Sequence, residues 1–211
     1  MIRVVVVDDE ALVRSGFELI LRAAGDIDVV ATAAGGQAVR EVGTHRPDVV
    51  LLDIRMPDVD GLTVLRTLMA MAQPPVVAML TTFDSDEYIA EALRSGAAGF
   101  ILKDTEPTQL AQLVRTLASG GVVLSPKVSQ TVVDGYLGRG TGPDASAVAT
   151  LSVREREVLV LVAEGLSNAE IGARMHLSVG TIKDHVSAIL TKLSVGSRVQ
   201  AALLAQRAGL L

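Results

Sequence analysis

Cysteine is absent from the 211 residues. That excludes disulfides and thiolate metal sites, and it fits a reducing cytoplasm. Also missing is any run of about 18 consecutive apolar residues, although apolar types make up 49% of the chain. No membrane span is therefore expected. No secretory leader is expected either: the apolar residues 4–7 are few and run straight into Asp8, Asp9 and Glu10. An excess of positive charge is lacking too, the net charge being -5. Residues 149–211 carry 7 Lys/Arg against 5 Asp/Glu, while residues 1–125 carry 10 against 17. A nucleic-acid reading therefore has to rest on where basic groups lie, not on net charge.

What is present suffices for two cores. The first part alternates between apolar runs and helical spacing. Residues 2–7, 29–33, 49–52, 76–80 and 99–102 read as strands. Residues 12–23, 37–42, 62–71, 87–94 and 107–118 read as helices, with Leu12, Phe17, Ile20 and Leu21 expected largely on one face of the first. The strands are continuous apolar runs, as a sheet buried on both faces requires. The expected fold is an α/β doubly wound five-strand parallel sheet, with functional groups at the carboxyl ends of its strands. Asp8, Asp9, Asp53, Thr81 and Lys103 all fall at or just past such ends. Residues 125–137 suit a connecting helix, and the Gly/Ser/Ala-rich residues 138–149 a flexible linker.

The last part has clear helix starts. Ser152 with Glu155, and Ser167 with Glu170, fit the capping box, and Ser178 can cap a third helix reaching about Leu193. A fourth is expected over residues 197–208. Short helices joined by tight turns read as a helix-turn-helix in an all-α four-helix domain.

Carboxylates converging on one spot repel each other, and a hard divalent cation with oxygen ligands is the usual remedy. Asp8, Asp9 and Asp53 thus suggest Mg²⁺ together with a phosphoryl group, and a carboxylate can itself be the nucleophile that accepts it. Lys103 supplies a positive point charge and Thr81 a hydroxyl donor.

The set resembles the receiver domain of two-component response regulators over about residues 1–122. The motifs are Asp8-Asp9-Glu10, Leu52-Asp53-Ile-Arg55-Met-Pro57 through Gly61, Leu80-Thr81-Thr82, and Gly99-Phe100-Ile-Leu-Lys103. The resemblance implies that Asp53 is the phospho-acceptor and Asp9 a direct Mg²⁺ ligand. Asp8 would act through water, and the Arg55 backbone carbonyl would complete the protein ligands. Thr81 and Phe100 would form the switch pair. Many receivers follow the lysine with a cis proline; here Asp104 stands there, and a cis bond before it would be costly.

Residues 149–211 resemble the LuxR-type helix-turn-helix of NarL/FixJ-class regulators. Leu151-Ser152-x-Arg154-Glu155, Gly165-Leu-Ser167-Asn168-x-Glu170-Ile171, Thr181-Ile-Lys183-x-His185-Val186 and Lys192-Leu193 carry that likeness. It implies a third helix in the major groove, with Lys183, Asp184 and Ser187 on its reading face. Thr181 and the amides at the helix start would meet phosphate, as would Lys192. One copy would bind weakly, so a homodimer on two half-sites is expected, with Val199, Ala202, Leu203 and Ala205 as an apolar seam.

The resulting expectation is a cytoplasmic bacterial transcription regulator, not an enzyme. It would comprise a receiver (1–122), a connecting helix and linker (123–148) and a DNA-binding domain (149–211). Its partners would be a cognate sensor histidine kinase and a double-stranded DNA operator. Two alternatives stay open: a phosphorylation-independent regulator, and an Mg²⁺ phosphohydrolase with an aspartate nucleophile. By the same resemblance, Arg55 and Phe83 would flank the approach of water to an acyl phosphate on Asp53 and slow its loss.

Overall fold

The computed structural model describes residues 1–82, 86–124 and 148–211, with the side chains of residues 86 and 87 left aside. The expected connecting helix, nearly all of the linker, and Phe83 fall outside these. The first part contains β1 (Ile2–Val7), α1 (Ala11–Arg22), β2 (Ile27–Ala33), α2 (Ala38–His45), β3 (Val49–Asp53), α3 (Gly61–Met69), β4 (Val76–Thr81), α4 (Asp86–Arg94), β5 (Gly99–Leu102) and α5 (Pro107–Ala118). A 3₁₀ turn, Gly35–Gln37, leads into α2.

The strands form one parallel sheet in the order β2-β1-β3-β4-β5. Alternation of side chains along β1 explains why the run is apolar throughout. Val5 and Val7 point into the core shared with α2, α3 and α4, while Val4 and Val6 point into the core shared with α1 and α5. The chain winds one way from β1 to β2 and the other way from β3 to β5, so the order reverses between β1 and β3. A crevice opens outside the strand ends at such a reversal, and Asp8 and Asp53 are the residues that stand there.

One sequence expectation needs correction. Leu12, expected on the packed face of α1, is 85% exposed, whereas Phe17 and Leu21 are buried. At about 100° per residue, Leu12 lies about 140° around the helix from Phe17.

The second part contains α6 (Val153–Ala163), α7 (Asn168–Met175), α8 (Val179–Leu193) and α9 (Arg198–Arg207). Capping boxes at Ser152/Glu155 and Ser167/Glu170 are formed reciprocally, and Ser178 and Ser197 cap α8 and α9. The α7–α8 turn is tight: a Cβ on Gly172 would lie 2.7 Å from the Leu177 carbonyl. Leu159, Ile171, Ile182, Ile189 and Ala205 fill the core between the four helices.

Among the described residues, the two parts touch in two places. At the first, Val199 of α9 is buried within the core shared by α2, α3 and α4 of the first part, and Gln200 Nε2 donates to the Leu93 carbonyl at the end of α4 (2.8 Å). At the second, the Asn168 amide donates to the Ser119 carbonyl (3.1 Å). Gly120, at φ +82°, lies so close that a Cβ there would come within 2.3 Å of Asn168 Nδ2. Beside this contact is a cleft of about 930 Å³, which Lys183, Val186 and Ser187 of α8 line opposite Arg46, Asp48 and Pro74.

Candidate functional site

The loops after β1 and β3 bring Asp8, Asp9 and Asp53 together, each with one carboxylate oxygen within 4.8 Å of the others. Asp8 and Asp53 are buried. Lys103, just past β5, reaches between them: its Nζ lies 2.8 Å from Asp8 Oδ2 and 3.1 Å from Asp53 Oδ2, with Glu10 Oε1 at 3.7 Å. Burial raises the Asp53 pKa above the usual carboxylate value; Lys103 opposes that rise, and the neighbouring Asp8 charge adds to it. Burial pulls the Lys103 ammonium down, but its bonds and attraction to Asp8 and Asp53 outweigh this and hold its pKa above the ordinary lysine value.

The backbone around these groups is fixed. Asp8 Oδ1 accepts from the Glu10 amide (2.9 Å). The Arg14 guanidinium donates through Nη1 to the carbonyls of Asp8 (2.6 Å) and Asp9 (3.0 Å). At the start of α3, a Cβ on Gly61 would approach the Asp53 carbonyl to 2.2 Å, so this position has no room for a side chain. Thr81, at the end of β4, is buried beside the pocket, and its carbonyl accepts from the Lys103 amide (2.9 Å). Phe100 is buried on the next strand, opposite Met79. Arg55 stacks its guanidinium 5.6 Å from the centre of the Tyr88 ring. Among the described residues no peptide bond is cis, so Lys103–Asp104 is trans.

The donor set suits a small divalent cation. It offers oxygens only, from carboxylates whose charges a single lysine cannot balance. Asp8 Oδ2 is buried and has no aligned hydrogen bond, although the Lys103 ammonium is close by. Its ammonium neighbour is shared with Asp53, so this buried carboxylate oxygen is one that a second cation would satisfy well.

On α8, Lys183, Asp184 and Ser187 are exposed residues. Lys183 and Ser187 line the cleft facing the first domain, and Asp184 does not. Thr181 belongs to the helix cap: its amide donates to Ser178 Oγ (3.1 Å), and the two hydroxyls are 2.9 Å apart. Lys192 pairs with Glu155 Oε2 at 2.7 Å, so its charge is partly engaged within the domain. That bond, with the Ser152 amide, depresses the Glu155 pKa to about 2. Of the expected dimer seam, Val199 and Leu203 meet the first domain and Ala205 packs in its own domain's core.

Sequence reasoning did not single out Arg14, nor the joint formed by Asn168 and Arg198. Arg198 is buried and donates through Nη1 to Asn168 Oδ1 (2.8 Å) and through Nη2 to the Leu166 carbonyl. Burial pulls its pKa down to about 10.

An acidic pocket at the reversal of a parallel sheet, joined to a helix-turn-helix, defines a two-domain DNA-binding regulator as a class. The comparisons with known proteins agree. Residues 4–115 match the family model "Response regulator receiver domain", and residues 149–205 match "Bacterial regulatory proteins, luxR family". The chain is 37% identical to the transcriptional regulatory protein LnrK of Bacillus subtilis, over 99% of this chain and 98% of that protein. It is 35% identical to LiaR of the same organism over 98% of each. Among solved structures, the response regulator ChrA of a heme-sensing two-component system aligns at a TM-score of 0.53 with 36% identity, over 100% of this chain and 98% of that one. The receiver domain of the putative response regulator NarL from Mycobacterium tuberculosis aligns at 0.54 with 38% identity, over 56% of this chain and 97% of that one. The chain therefore belongs to the response regulators that join a receiver to a luxR-type DNA-binding domain. Both matched domains are regulatory, not enzymatic. No helix among the described residues is long and apolar enough to cross a membrane.

Proposed function

We propose that Asp53 accepts a phosphoryl group from a sensor histidine kinase, and that this event controls binding of a homodimer to operator DNA. Residues 1–122 would receive the signal, 149–211 would read DNA, and 123–148 would join them. The observation that carries the reading is the Lys103 ammonium lodged between Asp8 and Asp53. An anion arriving on Asp53 finds a cation already in place.

In the step itself, an Asp53 oxygen forms a bond to phosphorus as the phosphorus–nitrogen bond of a phosphohistidine breaks. The imidazole leaves and takes up a proton from solvent. Lys103 transfers its pairing from the Asp53 carboxylate to the phosphoryl oxygens. Thr81 turns its hydroxyl toward the same oxygens, and Phe100 packs into the space this vacates. Asp9, Asp53 and the Arg55 carbonyl, with Asp8 acting through water, would hold Mg²⁺, which supplies charge neutralisation for the incoming phosphoryl.

The output is a change in the contact between the domains. With Lys183 and Ser187 facing Arg46 and Asp48 across the cleft, a duplex cannot reach the reading face of α8. Release of this contact exposes it and frees Val199 and Leu203 for a second copy. A small phosphodonor with Mg²⁺ should add one phosphate to the wild type and none to Asp53→Asn. Labelling of Asp53→Asn at the wild-type level overturns the assignment. Phosphate-independent regulation would appear instead as equal DNA affinity of the two proteins under phosphorylating conditions.

A further inference from the structure

We infer that Arg14 is a positioning residue of the acidic pocket: it sets the affinity for the divalent cation without touching it. The inference rests on the metal-assisted reading above and adds a residue to it. Arg14 lies in the opening turns of α1, where its amide donates to the Glu10 carbonyl. A cation is electrostatically misplaced there, because the amino end of a helix is its positive pole. Its partners explain its presence. One guanidinium nitrogen bonds both the Asp8 and Asp9 carbonyls, at 2.6 and 3.0 Å. Those two peptide units carry two of the three carboxylates of the pocket.

The consequence is geometric. Strand register ends at Val7, the Asp8 amide still donates to the Ala33 carbonyl of β2 (3.1 Å), and α1 starts at Ala11. Between them, the carbonyls of Asp8 and Asp9 are held by a side chain and not by a partner strand. Fixing both carbonyls fixes the directions in which the Asp8 and Asp9 side chains leave the backbone. Asp8 is braced further by the Glu10 amide and by Lys103. Among the described residues, no hydrogen bond or ion pair braces the Asp9 side chain, so its aim depends most on Arg14.

Partners in the outer shell of a metal site typically change affinity by about 10–100-fold when removed. The test uses the full chain and Mn²⁺ as a paramagnetic probe, with free ion read by electron paramagnetic resonance and Mg²⁺ by competition. Arg14→Met keeps the stem and removes the donors. It should weaken Mn²⁺ binding roughly tenfold. Arg14→Lys keeps the charge but is one bond shorter and lacks the planar fork that aims the donors, so it should fall between Arg14→Met and wild type. With a small phosphodonor, the Mg²⁺ concentration for half-maximal phosphorylation should rise in the same order, while the rate at saturating Mg²⁺ stays near wild type.

Unchanged Mn²⁺ affinity in Arg14→Met overturns the inference. So does a fall in the saturated rate with no shift along the Mg²⁺ axis, which marks a purely structural role. If Arg14→Met does not fold, Arg14→Lys decides: wild-type affinity in that variant overturns the inference. Failure of the underlying reading looks different. There, wild type binds no better than Asp9→Asn, and every variant is alike.

Discussion

The pocket shows how much a single residue can depend on neighbours far away in sequence. Gly61 begins α3, yet it is the Asp53 and Ile54 carbonyls that forbid a side chain there. Gly61→Ala should therefore lower stability by about 1–3 kcal/mol through overpacking, measured by urea unfolding, and should impair phosphorylation. Glu155 offers a test by pH. Its pKa falls from 4.5 to about 2 through the bond from Lys192 and the Ser152 amide. A carboxyl depressed in the folded state contributes its stability above the unfolded value and loses it as pH falls through the folded one. The melting temperature of the DNA-binding domain should thus decline between pH 4.5 and about 2, and Glu155→Gln should flatten that decline. An equal decline in both proteins rejects the bond as its source. The clustering of Asp53, Thr81 and Lys103 was legible because the first two end strands and the third directly follows one. Arg14 was not, since an arginine in a first helical turn looks like any surface arginine until its carbonyl partners are located. The Lys192–Glu155 bond spans 37 positions, a separation that no local pattern reveals.

The elements themselves were largely legible, for local reasons. Continuous apolar runs marked strands buried on both faces, and serine–glutamate pairs marked the starts of α6 and α7. What escaped was direction. α9 carries small and apolar residues on several sides, so composition could not say that Val199 would meet the first domain and Ala205 its own. The same applies to α1, where a strip counted as buried included Leu12. On α8, Lys183, Asp184 and Ser187 are exposed, and a prediction belongs to that helix. Lys183→Ala should weaken specific DNA binding by about 1–3 kcal/mol if it contacts a base edge. If it meets only phosphate, the loss should be the same on all sequences and the salt slope should fall by about one. Unchanged affinity for an operator recovered by genome-wide pull-down rejects α8 as the reading helix.

At the scale of the whole molecule, chemistry and readout lie at opposite ends of the sheet. Asp53 ends β3, whereas Asp48 and Pro74, which face α8 across the cleft, precede β3 and β4. α4 spans this distance: it starts near the pocket, and the Leu93 carbonyl near its far end takes the hydrogen bond from Gln200. Gln200→Ala removes its bond across the contact, worth about 1 kcal/mol, and so should shift the closed-to-open ratio roughly fivefold; the bond its Oε1 accepts from the Gly196 amide (2.6 Å), also lost, lies within the second domain. Binding to a generic duplex at low salt, without phosphorylation, should tighten by up to that factor. No change would place the restraint at the Asn168–Ser119 joint alone. None of this contact was legible beforehand, because it pairs residues from domains whose mutual placement no periodicity encodes.

The closed joint also implies a debt that runs in both directions. If a phosphoryl group on Asp53 favours the open form, and a duplex on α8 favours it too, each ligand must help the other by the same factor, since both draw on one equilibrium. An operator would then be more than the target of the signal. By holding α8 away from Arg46 and Asp48, it would tighten the pocket's hold on its cation and on phosphate mimics. The promoter would thereby act as an effector of the regulator that reads it.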